Sequence, residues 1–271
     1  MLFPPLCYSK ILMTEDILSA ELITDGLAAR LVGRRVLYYP EVTSTNEIAK
    51  TEAQAGTPEG TVIVAGRQTR GRGRLDRSWL TPEGNIALSA VLFPDETLLR
   101  SLIMMASLSV ADTIETVAGL PAQIKWPNDV LVNGKKVCGI LIETGVRSET
   151  VRFAAIGIGM NVNIGQEELS GVRTDATSLF LETGGRVSRL RLVRELLEDM
   201  DNLYASIVSG GSVLEEWRDR LVTLGQEVRV TEGDAAFEGI AESVDRDGSL
   251  MVRRHDGRLT RVVAGDVTLR V

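Results

Sequence analysis

The sequence predicts an α+β chain: a larger domain of strands and helices, then a small β-barrel. Apolar runs of strand length at 62–65, 86–93 and 151–158 are interspersed with long helical spacings at 97–118 and 188–208. After Gly225 the pattern changes to short alternating pieces at 227–231, 236–244, 249–254, 258–263 and 266–271. The turn signals Gly233-Asp234, Asp247-Gly248 and Asp256-Gly257 separate them. Several short strands in so little chain make a small barrel. The chain is therefore divided into residues 1–223 and 224–271.

Residues 15–32 carry Ile17, Leu18, Leu22, Ile23, Leu27 and Leu31 at roughly helical spacing, with a helix start at Thr14-Glu15-Asp16. The apolar, proline-broken start makes residues 1–12 a loose segment. Residues 36–39 read as a strand, and Ser44 with Glu47 fits a capping box opening the next helix. Ser44 and Thr45 are either simple caps or hydroxyls offered to a polar ligand at a helix N-terminus. The 97–118 helix is core, closed by Gly119 before Pro121. Residues 188–208 and 212–222 read as amphipathic helices.

Composition excludes several chemistries. A net charge of −7 makes the chain a poor general binder of nucleic acid. His255 is the only histidine and Cys7 and Cys138 the only cysteines, so His/Cys metal clusters and Ser-His-Asp catalysis are not expected. Cys138 lies in an apolar strand, which points to a reducing compartment. No stretch approaches a membrane span, and a cytoplasmic protein is expected.

Against that acidic background, Arg67, Arg70, Arg72, Arg74 and Arg77 crowd one segment with Gly71 and Gly73. The segment reads as a long mobile loop between two buried strands. It is either a solvated loop or an anion site, since arginine makes forked contacts with phosphate and carboxylate.

Asn133-Gly134 is a strong hairpin signal. Counting back from it, Leu131 faces Lys136, Asp129 faces Cys138 and Asn128 faces Gly139. Alternation then puts Lys136 and Asp129 on one face, with Lys125 joining them. Lys136 is either a snorkelling edge residue or the partner of an anion. Further on, the small residues of Gly157-Ile158-Gly159 at a strand end allow a flat ring to lie against the backbone. The nucleotide-binding glycine patterns of the dinucleotide and P-loop folds are absent.

Together these stretches resemble the biotin–protein ligases. Ser44-Thr45-Asn46, Gly71-Arg72-Gly73-Arg74 with Arg77 and Trp79, and Lys125-Trp126-Pro127-Asn128-Asp129 stand in that family's order. Lys136-Val137-Cys138-Gly139 and Gly157-Ile158-Gly159-Met160-Asn161 follow in the same order and spacing, and the resemblance covers residues 20–271. It implies a class II tRNA-synthetase-like catalytic domain with a mixed sheet, followed by an SH3-like barrel.

The resemblance also implies the activity: biotin is joined to ATP, with Mg2+, to give biotinyl-5'-AMP. Biotin then passes to a lysine of a biotin carboxyl carrier protein or domain. Ser44, Thr45, Asn46, Gln68, Gly71, Arg72, Gly73, Arg74, Lys136 and Gly139 match its biotin-side positions. Arg74, Arg77, Trp79, Lys125, Asn128 and Asn161 match the ATP side, with Asn161 offering its amide to adenine. Lys136, Arg72 and Asp129 carry the chemistry, and Asp129 serves either the magnesium or the incoming lysine.

The family usually has glycine where Asp76 stands, and Asp76 either faces solvent or pairs with Arg74 or Arg77. Little chain precedes Ser44, which implies the ligase-only form, without specific DNA binding, as monomer or homodimer. The alternatives are a lipoate or octanoate ligase of the same superfamily, or a non-catalytic anion- or nucleic-acid-binding module.

Overall fold

Seven strands form one mixed sheet: β1 (Arg35–Val42), β2 (Thr61–Gln68), β3 (Ile86–Leu92), β4 (Ala122–Lys125), β5 (Asp129–Val132), β6 (Lys135–Arg147) and β7 (Thr150–Met160). Their order is β1-β2-β3-β7-β6-β5-β4. Only the β1–β2 pair is parallel. This computed structural model describes residues 16–147, 150–170, 175–232, 235–263 and 265–269. Residues 1–12, Cys7, the helix start at Thr14-Glu15 and the Gly233-Asp234 turn lie outside them.

Strand β3 is buried along its whole length because both faces of the sheet are covered. Val62, Val64, Leu88, Ala154 and Ile156 point into the main core. That side is covered by the helices α3 (Ser101–Ala118), α6 (Arg189–Val208) and α7 (Leu214–Asp219). On the opposite face Ile63, Val91, Phe153 and Ala155 pack with Ala49 and Ala53 of α2 (Thr45–Gln54). Side chains alternate along a strand, so Phe153, Ala155, Gly157 and Gly159 of β7 share the α2 face. The first two make core, and the two glycines beyond them leave open space at the strand end.

Helix α3 ends at Gly119, whose left-handed backbone (φ 67°) lets its N–H return to Glu115 O. Its mean hydropathy of 1.3 over 18 residues matches a membrane span in length and composition, contrary to the sequence expectation. It is 61% buried and packs against α6 as a core helix.

The helix expected over 15–32 shrinks to α1, Ala20–Thr24, capped by Ser19 Oγ. Gly26 adopts φ 71° beyond it. The following chain is instead anchored by the buried Asp201 carboxylate, which accepts the N–H groups of Arg30, Leu31 and Val32 at 2.8–2.9 Å. Tertiary hydrogen bonds here outweigh a weak helical propensity. Similarly, the 212–222 helix is confined to α7, where Trp217 is fully buried.

Two short helices, α4 (Gln166–Leu169) and α5 (Leu179–Thr183), link β7 to α6. The C-terminal strands β8 (Glu227–Glu232), β9 (Ala235–Val244), β10 (Leu250–Arg254), β11 (Leu259–Val262) and β12 (Asp266–Leu269) form an antiparallel sheet. Its order is β11-β10-β9-β8-β12, so the ladder is open between β11 and β12 among the described residues. Val228, Val230, Leu250, Val252 and Val267 join the core of the large sheet. The Trp126 indole N–H donates to Gly248 O at 2.9 Å and fixes the β9–β10 turn against the seven-stranded sheet.

Candidate active site

A cavity of about 390 Å³ opens between the arginine segment, the β4–β5 turn, the glycine ends of β6 and β7, and β12. Its wall at the start of α2 is a closed polar network. Thr45 N–H and Oγ1 both donate to Gln68 Oε1, at 2.8 and 3.1 Å, while Gln68 Nε2 donates to Thr81 Oγ1 at 3.0 Å. Ser89 Oγ, fully buried, lies 2.8 Å from Thr45 Oγ1 and 2.7 Å from Asn46 Oδ1. Asn46 Nδ2 donates to Glu143 Oε2 at 2.8 Å, and Lys50 Nζ meets the other carboxylate oxygen at 2.7 Å. Burial pushes the Glu143 carboxyl up, but the bonds from Lys50 and Asn46 outweigh it and hold the group below the usual range.

Ser44 is the N-cap residue by position, but its side chain makes no capping bond. The expected capping box does not form because Glu47 is drawn elsewhere. It accepts from Thr43 Oγ1 at 2.9 Å and pairs with Arg72 Nη2 at 2.5 Å.

The arginine segment folds back on itself. Isolated bridges join Gln68 to Thr81 and Arg72 to Ser78. Trp79 N–H donates to Gly71 O at 2.9 Å and Gly73 N–H to Arg77 O at 2.7 Å. A Cβ on Gly71 would come within 2.4 Å of Trp79 O, so that glycine permits the close approach of the two halves. Gly71 does not line the cavity, whereas Gly73 does. Between them and Arg77, Leu75 adopts a left-handed backbone (φ 55°, ψ 42°) and is exposed.

Each basic group of the cavity wall described next has an acceptor within the chain. Lys136 Nζ lies 2.6 Å from Asp129 Oδ1. Arg77 forks onto Asp266 of β12, with Nη1 3.3 Å from Oδ1. Arg74 donates to Asn128 Oδ1 at 3.1 Å and to Gly265 O at 2.9 Å. Burial lowers the Arg74 pKa, opposed by Asp129 and Asp266, while the Asp266 hydrogen bond raises that of Arg77. The Asp76 side chain lies outside the described residues; Arg74 and Arg77 make the contacts just given.

The hairpin turns at Asn133-Gly134 as expected, with φ 50° and 74°. Its register is corrected, however. Leu131 pairs with Lys136, but a bulge follows, so Val130 meets Cys138 and Asp129 meets Gly139. The bulge sits where the other edge of β6 changes partner. Lys136 N–H donates to Asp175 O at 2.7 Å and Thr177 N–H donates to Lys136 O at 2.9 Å, ahead of the β7 ladder. Lys125 stands opposite Asp129 across the β4–β5 pair and lines the cavity with it.

Gly139 and Gly159 are direct partners on β6 and β7. The ring lying on them is Trp79. A Cβ on Gly159 would fall 2.2 Å from its Nε1, and one on Gly139 3.0 Å from its Cζ3. The ring centroid is 5.2 Å from Lys136 Nζ. Trp79 Nε1 is buried without a hydrogen-bond partner. Asn161, 5% exposed, accepts from Asn85 Nδ2 at 3.1 Å and donates to Thr177 O at 3.0 Å.

Fifteen of the sixteen residues expected at the site line the cavity, Gly71 being the exception, whereas Glu47 as an arginine partner, Ser89, Asn85 and Asp266 were not foreseen. Cys138 is fully buried and its thiol pKa is pushed up by burial, and His255 does not line the cavity. The arrangement therefore supplies fixed positive charge and a flat platform for anions and a ring.

Residues 38–161 match the biotin/lipoate A/B protein ligase family, and residues 223–270 match the biotin protein ligase C terminal domain. The chain is 32% identical to the biotin–[acetyl-CoA-carboxylase] ligase of Mycobacterium tuberculosis, over 94% of this chain and 98% of that protein. This chain belongs to the biotin/lipoate A/B protein ligase family. Within that family it is also 34% identical to the bifunctional ligase/repressor BirA of Bacillus spizizenii, over 93% of this chain and 79% of the relative. The biotin protein ligase of Aquifex aeolicus in complex with biotin and ATP superposes with a TM-score of 0.73 at 30% identity, covering 88% of this chain and 99% of that one.

Proposed function

We propose that this member of the family is a biotin–[biotin carboxyl carrier protein] ligase. It activates biotin with ATP to biotinyl-5'-AMP and transfers the biotinyl group to a lysine of a carrier protein or domain. The observation that carries the reading is the convergence of Lys136, Arg72, Arg74 and Arg77 on a cavity beside a glycine platform. The C-terminal match and the names of the relatives favour biotin over lipoate or octanoate.

In the first step an oxygen of the biotin carboxylate attacks the α-phosphorus of ATP. The bond from that phosphorus to the bridging oxygen breaks, and pyrophosphate leaves. The substrate is its own nucleophile, so the protein's task is to bring two anions together, and fixed cations do this. Lys136 stands between the helix-α2 side, where Ser44, Thr45, Asn46 and Gln68 hold biotin, and the phosphate side, where Arg74, Arg77, Lys125 and Asn128 hold the triphosphate. Arg72 closes over the biotin carboxylate, and Asn161 and Trp79 receive the adenine.

In the second step the carrier lysine, as free amine, attacks the acyl carbon. The mixed anhydride bond breaks, AMP leaves, and the amine proton is released. Asp129 is placed to take that proton or to serve a metal. Its partly exposed carboxylate is a hard oxygen donor of the kind Mg2+ uses alongside ATP phosphates, where the ion would neutralise phosphate charge.

The exposed ion pairs Arg72–Glu47 and Arg77–Asp266 are worth up to about 1 kcal/mol each, so a multiply charged ligand displaces them readily. Closure of the arginine segment then shields the adenylate from water. We divide the chain at 223/224 and assign it to the cytoplasm. With a net charge of −7, specific DNA binding is not part of this reading. Incubation with biotin, ATP, Mg2+ and a biotin carboxyl carrier domain tests it. One biotinyl group on a single carrier lysine is expected, and a carrier unchanged by mass spectrometry contradicts it.

A further inference from the structure

Asn85 immediately precedes β3 and is fully buried. Its Oδ1 accepts from the backbone N–H of Val162 at 3.1 Å. A backbone N–H only donates, so the oxygen end of this amide must face Val162 and the Nδ2 end must face away. Nδ2 lies 3.1 Å from Asn161 Oδ1. On its other side, Asn161 Nδ2 lies 3.0 Å from Thr177 O, which can only accept. Two independent constraints therefore fix the Asn161 amide in the same orientation.

The backbone clamps this arrangement. Asn163 N–H donates to Gly84 O at 2.9 Å. Gly84 has φ 98°, and a Cβ there would come within 2.9 Å of Asn163 O. Arg189 Nη1 donates to Asn85 O at 3.3 Å. The Gly84–Asn85 turn is thus held against the strand end that carries Asn161.

After these contacts Asn161 keeps one lone pair on Oδ1 and one hydrogen on Nδ2. It lines the cavity. We infer that Asn85 is a positioning residue for nucleobase recognition, holding the Asn161 amide so that its acceptor and donor meet the base in a fixed order. Adenine offers a matching donor and acceptor side by side at N6 and N7, whereas guanine offers two acceptors at O6 and N7. A rotated amide would set donor against donor and acceptor against acceptor. The inference rests on the nucleotide reading of the cavity given above.

Asn85→Asp tests it. Aspartate keeps the size and the acceptor for Val162 N–H but replaces the Nδ2 donor with an oxygen. Asn161 then meets an acceptor on both sides and loses its fixed orientation. Three readouts on the full chain separate this role from a general structural one: KM and kcat for ATP in biotin-dependent pyrophosphate exchange, the same with GTP, and biotin affinity by titration. In Asn85→Asp the KM for ATP should rise about tenfold, as for loss of a paired amide–base contact. The kcat should stay within about threefold and biotin affinity within about twofold, while the preference for ATP over GTP narrows.

In an Asn161→Ala background the same substitution should add almost nothing, because Asn85 acts through Asn161. A wild-type KM in Asn85→Asp, an equal loss added on top of Asn161→Ala, or a parallel loss of biotin affinity would each overturn the inference. Wild-type protein lacking biotin-dependent exchange would instead sink the nucleotide reading, and this inference with it.

Discussion

Lys136 Nζ lies 2.6 Å from Asp129 Oδ1, and the two groups meet across a bulged strand pair at the cavity wall. Both side chains are about three-quarters buried, at 28% and 23% exposure. Arg72–Glu47 and Arg77–Asp266 are more open to water. These cations are thus set against carboxylates of the chain itself. In the function proposed above, ligand binding exchanges these acceptors, with phosphate and carboxylate oxygens taking the place of Glu47, Asp129 and Asp266.

Lys136→Ala should leave the fold intact and reduce adenylate formation at least a hundredfold. Removing one preorganised stabiliser of transition-state charge costs roughly 3 kcal/mol or more. Circular dichroism together with pyrophosphate exchange checks this. Activity within a few-fold of wild type would remove Lys136 from the chemistry.

Asp266→Asn keeps the shape of the β12 side chain but frees Arg77 from its internal ion pair. The pair is half exposed, so its loss is worth no more than about 1 kcal/mol. The KM for ATP should fall by roughly threefold, because less competes with the triphosphate for Arg77. A rise in KM would mean that Asp266 helps hold the nucleotide side open and does not compete with it.

Gly159→Ala should displace the indole, since the added methyl would stand 2.2 Å from Trp79 Nε1. Backbone and β-ladder are compatible with alanine, so stability should change little. Nucleotide affinity should drop about tenfold through loss of the flat platform, with a smaller effect on biotin, read by titration of each ligand. Equal loss of both would place the platform elsewhere.

How far the sequence led depends on the kind of signal. The glycine alternation at the end of β7 and the Asn133-Gly134 turn are local, and each appears where periodicity put it. The Lys136–Asp129 contact was anticipated from hairpin counting even though the register was off by one. The bulge that shifts it depends on the 175–177 segment, distant in sequence. Asp266 and Asn85 were illegible for the same reason. Their significance lies in partners 189 and 76 residues away, respectively. Asp201, which replaces the expected helix with an anchored loop, acts across about 170 residues.

Asp199 on α6 makes stability pH-dependent. Burial, then the neighbouring Glu195 and Asp112, push its carboxyl up to about 6, with a hydrogen bond from Thr113 opposing. The folded state thus holds this proton more tightly than the unfolded chain, whose value is near 3.8. The stability from this group is fully present below the unfolded value and is lost as pH rises through 6. Asp199→Asn should be more stable than wild type at pH 7.5 by about 1 kcal/mol after allowance for solvent, or roughly 2–4 °C in melting temperature. The difference should level off below about pH 4, and a pH-independent difference would contradict the assignment.

ATP–pyrophosphate exchange, with biotin, lipoate and octanoate offered separately, decides which acid this chain activates. It reads formation of the acyl-adenylate alone, before any carrier is involved. Robust exchange with biotin, and at most a hundredth of it, roughly, with either fatty acid derivative, is the expected result. Exchange that is equal or faster with lipoate or octanoate, or absent with biotin, would contradict the account.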